Sequence, residues 1–181
     1  MKYYYFAASL PLLSIDKPPM MSFASFREAC VQHLAKTDLT GLDELTAEPD
    51  TEATHPFALE WHKREVRLRN ALVRLRAART KREPALFIKG NEHTDEAIER
   101  GAAVAFAREN PADRELGMDR FRWTMLEDMA GYDPFSSKAV LAYAVKLRIA
   151  ERWAGMSDAK GGEKAEGLIA SRPGNFKLSA E

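Results

Sequence analysis

Residues 110–155 read NPADRELGMDRFRWTMLEDMAGYDPFSSKAVLAYAVKLRIAERWAG. Asn110-Pro111 is an N-cap residue followed by a proline at the first helical position, where the missing N–H is harmless and the ring pre-sets φ. A helix is predicted from there through Met129, with Gly131 as its stop. Asp133-Pro134 repeats the opening and predicts a second long helix ending near Gly155. Two helices joined by GYDP make an antiparallel hairpin. Across AVLAYAVKLRIA, residues 139–150, the second helix is apolar on nearly every side except at Lys146 and Arg148. A helix of that kind belongs at the centre of a bundle.

Placing Lys146 near the core creates a demand, because an unpaired buried ammonium is costly. Glu115, Asp119 and Arg122 share one face of the preceding helix by i, i+4 and i+7 spacing. A hairpin turning near Tyr132 brings Lys146 level with Asp119. A structural polar cluster of Glu115, Asp119, Arg122 and Lys146 is therefore expected between the two helices. Read as chemistry, Glu115 and Asp119 would be a carboxylate pair of a small hydrolase; that reading needs an open cleft at both side chains.

Outward from the hairpin the pattern stays helical. Upstream of Asn110, Thr94 is a plausible cap, with Asp95 and Glu96 suited to the positive end of a helix dipole. The interior AIERGAAVAFARE is rich in Ala and contains Gly101, which predicts a close helix contact there. The longest helical pattern is FALEWHKREVRLRNALVRLRAARTKRE. Phe57, Trp61, Leu68, Leu72 and Leu75 make its main apolar stripe, while Val66, Val73 and Ala77 form a weaker patch nearly opposite. Two apolar faces predict two packing neighbours. A further helix is expected over residues 23–35, with Ser22 or Ser25 as its cap and Phe23, Phe26, Cys30, Val31 and Leu34 on its inner face. Tyr3 to Leu10 is either a buried strand or a short helix. After Gly155 only residues 163–171 keep helical character, and residues 172–181 read as a loosely ordered tail. The fold expected is all-α, a bundle of five or six helices over residues 1–171 with an antiparallel C-terminal hairpin.

Of the 181 residues, 27 are Lys or Arg and 27 are Asp or Glu, so the formal net charge is zero. That argues against a uniformly basic nucleic-acid binder and against a polyanion mimic. The charges are nevertheless segregated. Residues 37–56 hold six acids and no Lys or Arg, with Pro49 and Pro56 as breakers, and read as an acidic connector with one short helix around Leu42 to Ala47. Residues 62–82 hold nine basic residues and the single acid Glu65. Arg67 and Arg74 flank one edge of the apolar stripe, Arg69 and Arg76 the other, so these four are the candidate contacts for a protein partner. A groove-binding helix would gather its cations on one side, which disfavours nucleic acid; the alternative of RNA binding through residues 63–82 predicts steep salt dependence.

Metal and cofactor chemistry have little to work with. The four histidines are scattered, and His62 with Glu65 is the single helical pair at ligand spacing. Cys30 is the lone cysteine, which rules out an intramolecular disulfide and favours a reducing compartment. No serine sits in a nucleophile elbow, and Lys160-Gly161-Gly162 lacks the rest of a phosphate-binding loop. No catalytic residue, cofactor, metal or small-molecule substrate is expected. The opening MKYYYFAASLPLLSIDKPP is a poor export signal, with one Lys ahead of the apolar run, Pro11 inside it and three tyrosines. No stretch reaches the roughly 20 apolar residues that span a bilayer, so a cytoplasmic protein is expected.

YYYFAASLPLLSIDKPP, RNALVRLRAART and above all NPADRELGMDRFRWTMLEDMAGYDPF followed by LAYAVKLRIAERW resemble a small bacterial family of unassigned function encoded among the subunits of V-type (A/V-type) ATPases. The resemblance runs from Tyr3 to about Ala170. It is most specific at Asn110-Pro111, Asp119, Arg122-Trp123, Tyr143, Lys146-Leu147 and Glu151-Arg152. It implies a non-enzymatic accessory or central-stalk-like role beside ATPase stalk or rotor subunits, with the protein peripheral to the inner membrane when bound. The helical adaptor of the ATPase central stalk is the component such a protein would stand in for. Full-length central-stalk adaptors are longer and built from repeated helical lobes, and no repeat is visible here, so the resemblance implies a reduced form or an assembly factor.

Overall fold

The computed structural model describes residues 2–46, 53–90 and 94–156. Among them the chain forms seven helices packed as a bundle, with no strand beyond an isolated bridge between Lys2 and Ser136. These are α1 (Tyr4–Ser9), α2 (Phe23–His33), α3 (Lys36–Thr46), α4 (Pro56–Thr80), α5 (Glu96–Phe106), α6 (Pro111–Ala130) and α7 (Ser137–Gly155). The expected helix over residues 163–171 and the tail beyond it lie outside the described residues.

The hairpin of α6 and α7 forms the centre. Asn110 caps α6 by accepting from the Asp113 N–H at 2.7 Å, and Pro111 occupies the first turn. Gly131 ends the helix at φ +72, a left-handed position at which a side chain would be strained. Helix α7 buries Val140, Leu141, Ala142, Ala144, Leu147, Ile149 and Ala150, and α6, α3 and α2 all pack against it. It starts three residues later than the Asp133-Pro134 signal implies. Ser136 is its cap, accepting from the Ala139 N–H at 3.2 Å. Asp133 is taken by the turn instead, accepting from the Phe135 N–H at 3.0 Å and pairing with Lys2 at 3.1 Å.

The remaining helices wrap this pair. Helix α5 packs against α4 and α6, and Gly101 makes room for the ring of Phe121, which a Cβ there would overlap. Its cap is Asp95 rather than Thr94, with Oδ1 accepting from the N–H groups of Ala97 and Ile98. Helix α4 lies between α3 and α5 and buries Phe57, Ala58, Trp61, Leu68, Ala71 and Ala77, consistent with two packing faces. In α2, Phe26 and Cys30 are fully buried, but Val31 faces solvent.

The acidic connector is the largest departure. Its first half is the 11-residue helix α3, which starts before Leu42 and buries Asp38, Gly41, Leu42 and Leu45. Residues 47–52 lie outside the described residues. The inward positions include an aspartate and a glycine, so hydrophobic periodicity alone does not reveal the face. Asp38 is satisfied by distant partners: the Tyr3 hydroxyl donates to its Oδ2 at 2.5 Å, and His55 Nε2 lies 3.3 Å from Oδ1. Gly41 accommodates the His55 ring, whose Cγ would sit 2.5 Å from an added Cβ.

Candidate functional site

Asp119 projects from the middle of α6 into the seam with α7, and its side chain is 2% exposed. Oδ1 accepts from Arg122 Nη1 at 2.9 Å, and Oδ2 accepts from Trp153 Nε1 at 2.7 Å and from Arg152 Nη2. Arg122 turns its other edge to Glu65 on α4, donating through Nε at 2.8 Å and Nη2 at 3.3 Å. Arg152 reaches on to Glu115, with Nη1 at 3.0 Å from Oε1. Two guanidiniums thus tie α4, α6 and α7 together through three carboxylates. Burial pulls the Arg122 guanidinium toward neutrality, but Glu65 and Asp119 outweigh it and hold its pKa above the ordinary arginine range.

Three of the four residues expected to cluster, Glu115, Asp119 and Arg122, share this network. Lys146 does not. Its Nζ donates to Glu127 Oε1 at 3.0 Å and lies 5.1 Å from the centre of the Trp123 ring. Asp119 meets Arg152 instead, six residues further along α7, which is about 9 Å of helix rise. The link accounts for part of the shift: residues 131–136 stay outside both helices, so α7 reaches any given level of α6 later than a tight turn would allow. Arg152, Trp153 and Glu65 are the members that spacing did not bring to notice. The one usable signal was Glu65, the sole acid in a strongly basic span.

The network forms one wall of a cleft of about 620 Å³ between α3, α4, α6 and α7. Four acids (Glu65, Glu115, Asp119, Glu151) and four arginines (Arg69, Arg122, Arg148, Arg152) line it. A cleft does reach Glu115 and Asp119, but both Asp119 oxygens are engaged by Arg122, Arg152 and Trp153, and Glu115 Oε1 is paired with Arg152. Glu151 is committed as well, accepting from the Phe23 N–H at 2.7 Å at the start of α2. The geometry is that of an ion-pair lattice tying helices together. Among the described residues, no three His, Cys, Asp or Glu side chains converge as a metal site would.

The arginines of α4 fall into two groups. Three of them face acids of the same chain: Arg64 donates to Glu60 at 2.9 Å, the exposed Arg69 lies 3.9 Å from Glu65, and Arg74 pairs with Glu99 on α5. Of the four named as partner contacts, Arg69 lines the charged cleft, Arg74 is committed to α5, Arg67 is half-buried and Arg76 is exposed. They do not form one surface. The cations toward the C-terminal end of α4, Arg76, Arg79, Lys81 and Arg82, are all exposed.

The fold and this lattice define a helical bundle held by buried ion pairs, in which no helix of the described residues is long and apolar enough to cross a membrane. Residues 103–171 match a family described as a protein of unknown function, DUF2764, a span that takes in the end of α5, all of α6 and α7 and the residues after them. No curated protein and no solved structure matches the chain.

Proposed function

We propose that the chain is a non-enzymatic accessory or central-stalk-like subunit of a bacterial V-type ATPase, bound on the soluble side of the complex. The observation that carries the reading is the resemblance over residues 110–155. Those residues form the central hairpin, and the Asp119, Arg122 and Arg152 positions of the resemblance build its ion-pair lattice. Two structural features agree with it. The cleft that reaches paired carboxylates has them bound by arginine and tryptophan, which suits a scaffold better than a hydrolase. The charge left outward on α4 is basic, which suits docking to an acidic surface of a partner.

The tagged chain, recovered from detergent-solubilised membranes of its source cell, is expected to bring down stalk or rotor subunits of the ATPase in near-stoichiometric amounts. Recovery of the chain without any ATPase subunit overturns the reading.

A further inference from the structure

Beyond α4 the chain does not leave the surface. Lys81 adopts a left-handed conformation (φ 52), and the Lys81 and Arg82 N–H groups both return to the Ala77 carbonyl, which closes the helix end. The following loop doubles back and is clamped to the helix by Asn70. This buried amide donates through Nδ2 to the Lys89 carbonyl at 2.9 Å and accepts from the Lys89 N–H at 3.0 Å. Within the loop, Phe87 N–H closes a turn on the Pro84 carbonyl at 2.9 Å. A buried side chain is thus spent on fixing a segment whose two largest apolar residues point to solvent: Leu86 is 82% exposed and Phe87 59%.

Around these two side chains the charge is predominantly positive. Residues 76–90 contain five Lys or Arg and the single acid Glu83. Arg76 and Arg79, three residues apart, share one side of the last turns of α4, and Lys81 and Arg82 follow at once beyond the helix, so the four exposed cations gather at its end rather than along its length. A nucleic-acid strand wants cations in a line, and a protein hot spot wants a pocket for its anchor. An extended, fluid, negatively charged plane can meet cations gathered at a helix end together with two protruding apolar side chains. We propose that the end of α4 and the loop after it form a direct contact with anionic lipid headgroups, with Leu86 and Phe87 entering the headgroup–acyl boundary. This goes beyond the ATPase reading and does not rest on it, since it requires the chain and a bilayer alone.

Sedimentation of the purified full chain with large vesicles provides the test. Binding is expected to vesicles of phosphatidylcholine mixed with phosphatidylglycerol and not to phosphatidylcholine alone, and to weaken as salt is raised. Each basic residue near such a surface strengthens binding by about fivefold, so Arg79→Glu with Arg82→Glu is expected to lower it by at least about 25-fold. Leu86→Ser with Phe87→Ser is expected to lower it by at least about tenfold. Both pairs lie on exposed positions, and circular dichroism checks that each variant stays helical. A Phe87→Trp variant is expected to gain emission that brominated phosphatidylcholine in the anionic vesicles quenches. Absence of binding to anionic vesicles, equal binding to neutral ones, or binding indifferent to both double variants overturns the proposal. So does binding of single-stranded RNA, rather than vesicles, that disappears in the same variants.

Discussion

Replacing Asp119 with alanine removes the acceptor for Arg122, Arg152 and Trp153 at once. Breaking a buried ion pair by deleting one partner costs about 3–5 kcal/mol, because the other charge is left without compensation. Two features reduce that figure here. Arg122 keeps both bonds to Glu65, and Arg152 keeps Glu115 at the solvent-facing end of the network. What is lost outright is one charge-assisted bond to a mostly buried guanidinium, one to a partly exposed guanidinium, and the bond that satisfies the indole N–H. A destabilisation of about 3 kcal/mol follows, with the Arg152 share held to about 1 kcal/mol by solvent screening. In urea unfolding, with a slope of about 2 kcal/mol/M, the midpoint falls by about 1.5 M; on heating, Tm drops by about 6–12 °C. A double-mutant cycle locates the effect. Asp119→Ala with Arg152→Ala should show a coupling of about 1 kcal/mol, whereas Asp119→Ala with Lys146→Ala should be additive within about 0.5 kcal/mol. An Asp119→Ala cost below about 1 kcal/mol, or a larger coupling to Lys146 than to Arg152, would refute the reasoning.

Other perturbations probe different parts of the fold. Gly101→Val is expected to cost about 2 kcal/mol even though glycine is itself a poor helix residue, because the new side chain meets the Phe121 ring; Phe121→Ala in the same chain should recover part of the loss. Burial pushes the Cys30 thiol up to about 12, so a disulfide reagent at about pH 8 should label the folded chain very slowly and the urea-unfolded chain at the rate of a free thiol. Burial by itself would raise the Glu44 carboxyl, but the Thr54 hydroxyl and the Thr54 and His55 N–H groups bond its ionised form and leave it below the ordinary range. A lowered folded pKa gives stability that is present above the unfolded value and lost as pH falls through the folded one. Glu44→Gln is therefore expected to cost about 0.5 kcal/mol at about pH 7 and progressively less as pH falls below the ordinary glutamate range, measured by urea unfolding along that series.

Local signals were legible wherever the residues that satisfy them are neighbours in sequence. Asn110-Pro111 and Gly131 bound α6 because a cap is a contact over three residues. The same logic misplaced the start of α7, since Asp133-Pro134 looks like Asn110-Pro111 but Lys2, far away in the chain, and the Phe135 N–H claim the Asp133 carboxylate. The early start and buried face of α3 were hidden for a related reason: Asp38 and Gly41 sit on that face because of Tyr3 and His55, which no window over residues 36–46 contains. The polar cluster was half legible. Glu115, Asp119 and Arg122 follow from helical spacing alone, whereas the partner from α7 depends on the length of the link, and there the six-residue shift exchanged Lys146 for Arg152. Lys146 meets its need for a partner one layer further out, at Glu127 beside Trp123, with its side chain 15% exposed.

The central claim, that this bundle is a subunit or adaptor of a V-type ATPase, is tested most directly by titrating the purified chain into the purified ATPase and reading binding by calorimetry. The account predicts saturable binding at a fixed stoichiometry with Kd in the micromolar range or tighter, about −8 kcal/mol or more favourable. Absence of heat and of co-migration up to about 1 mM, where binding is worth only about −4 kcal/mol, with a chain shown to be folded, would contradict it.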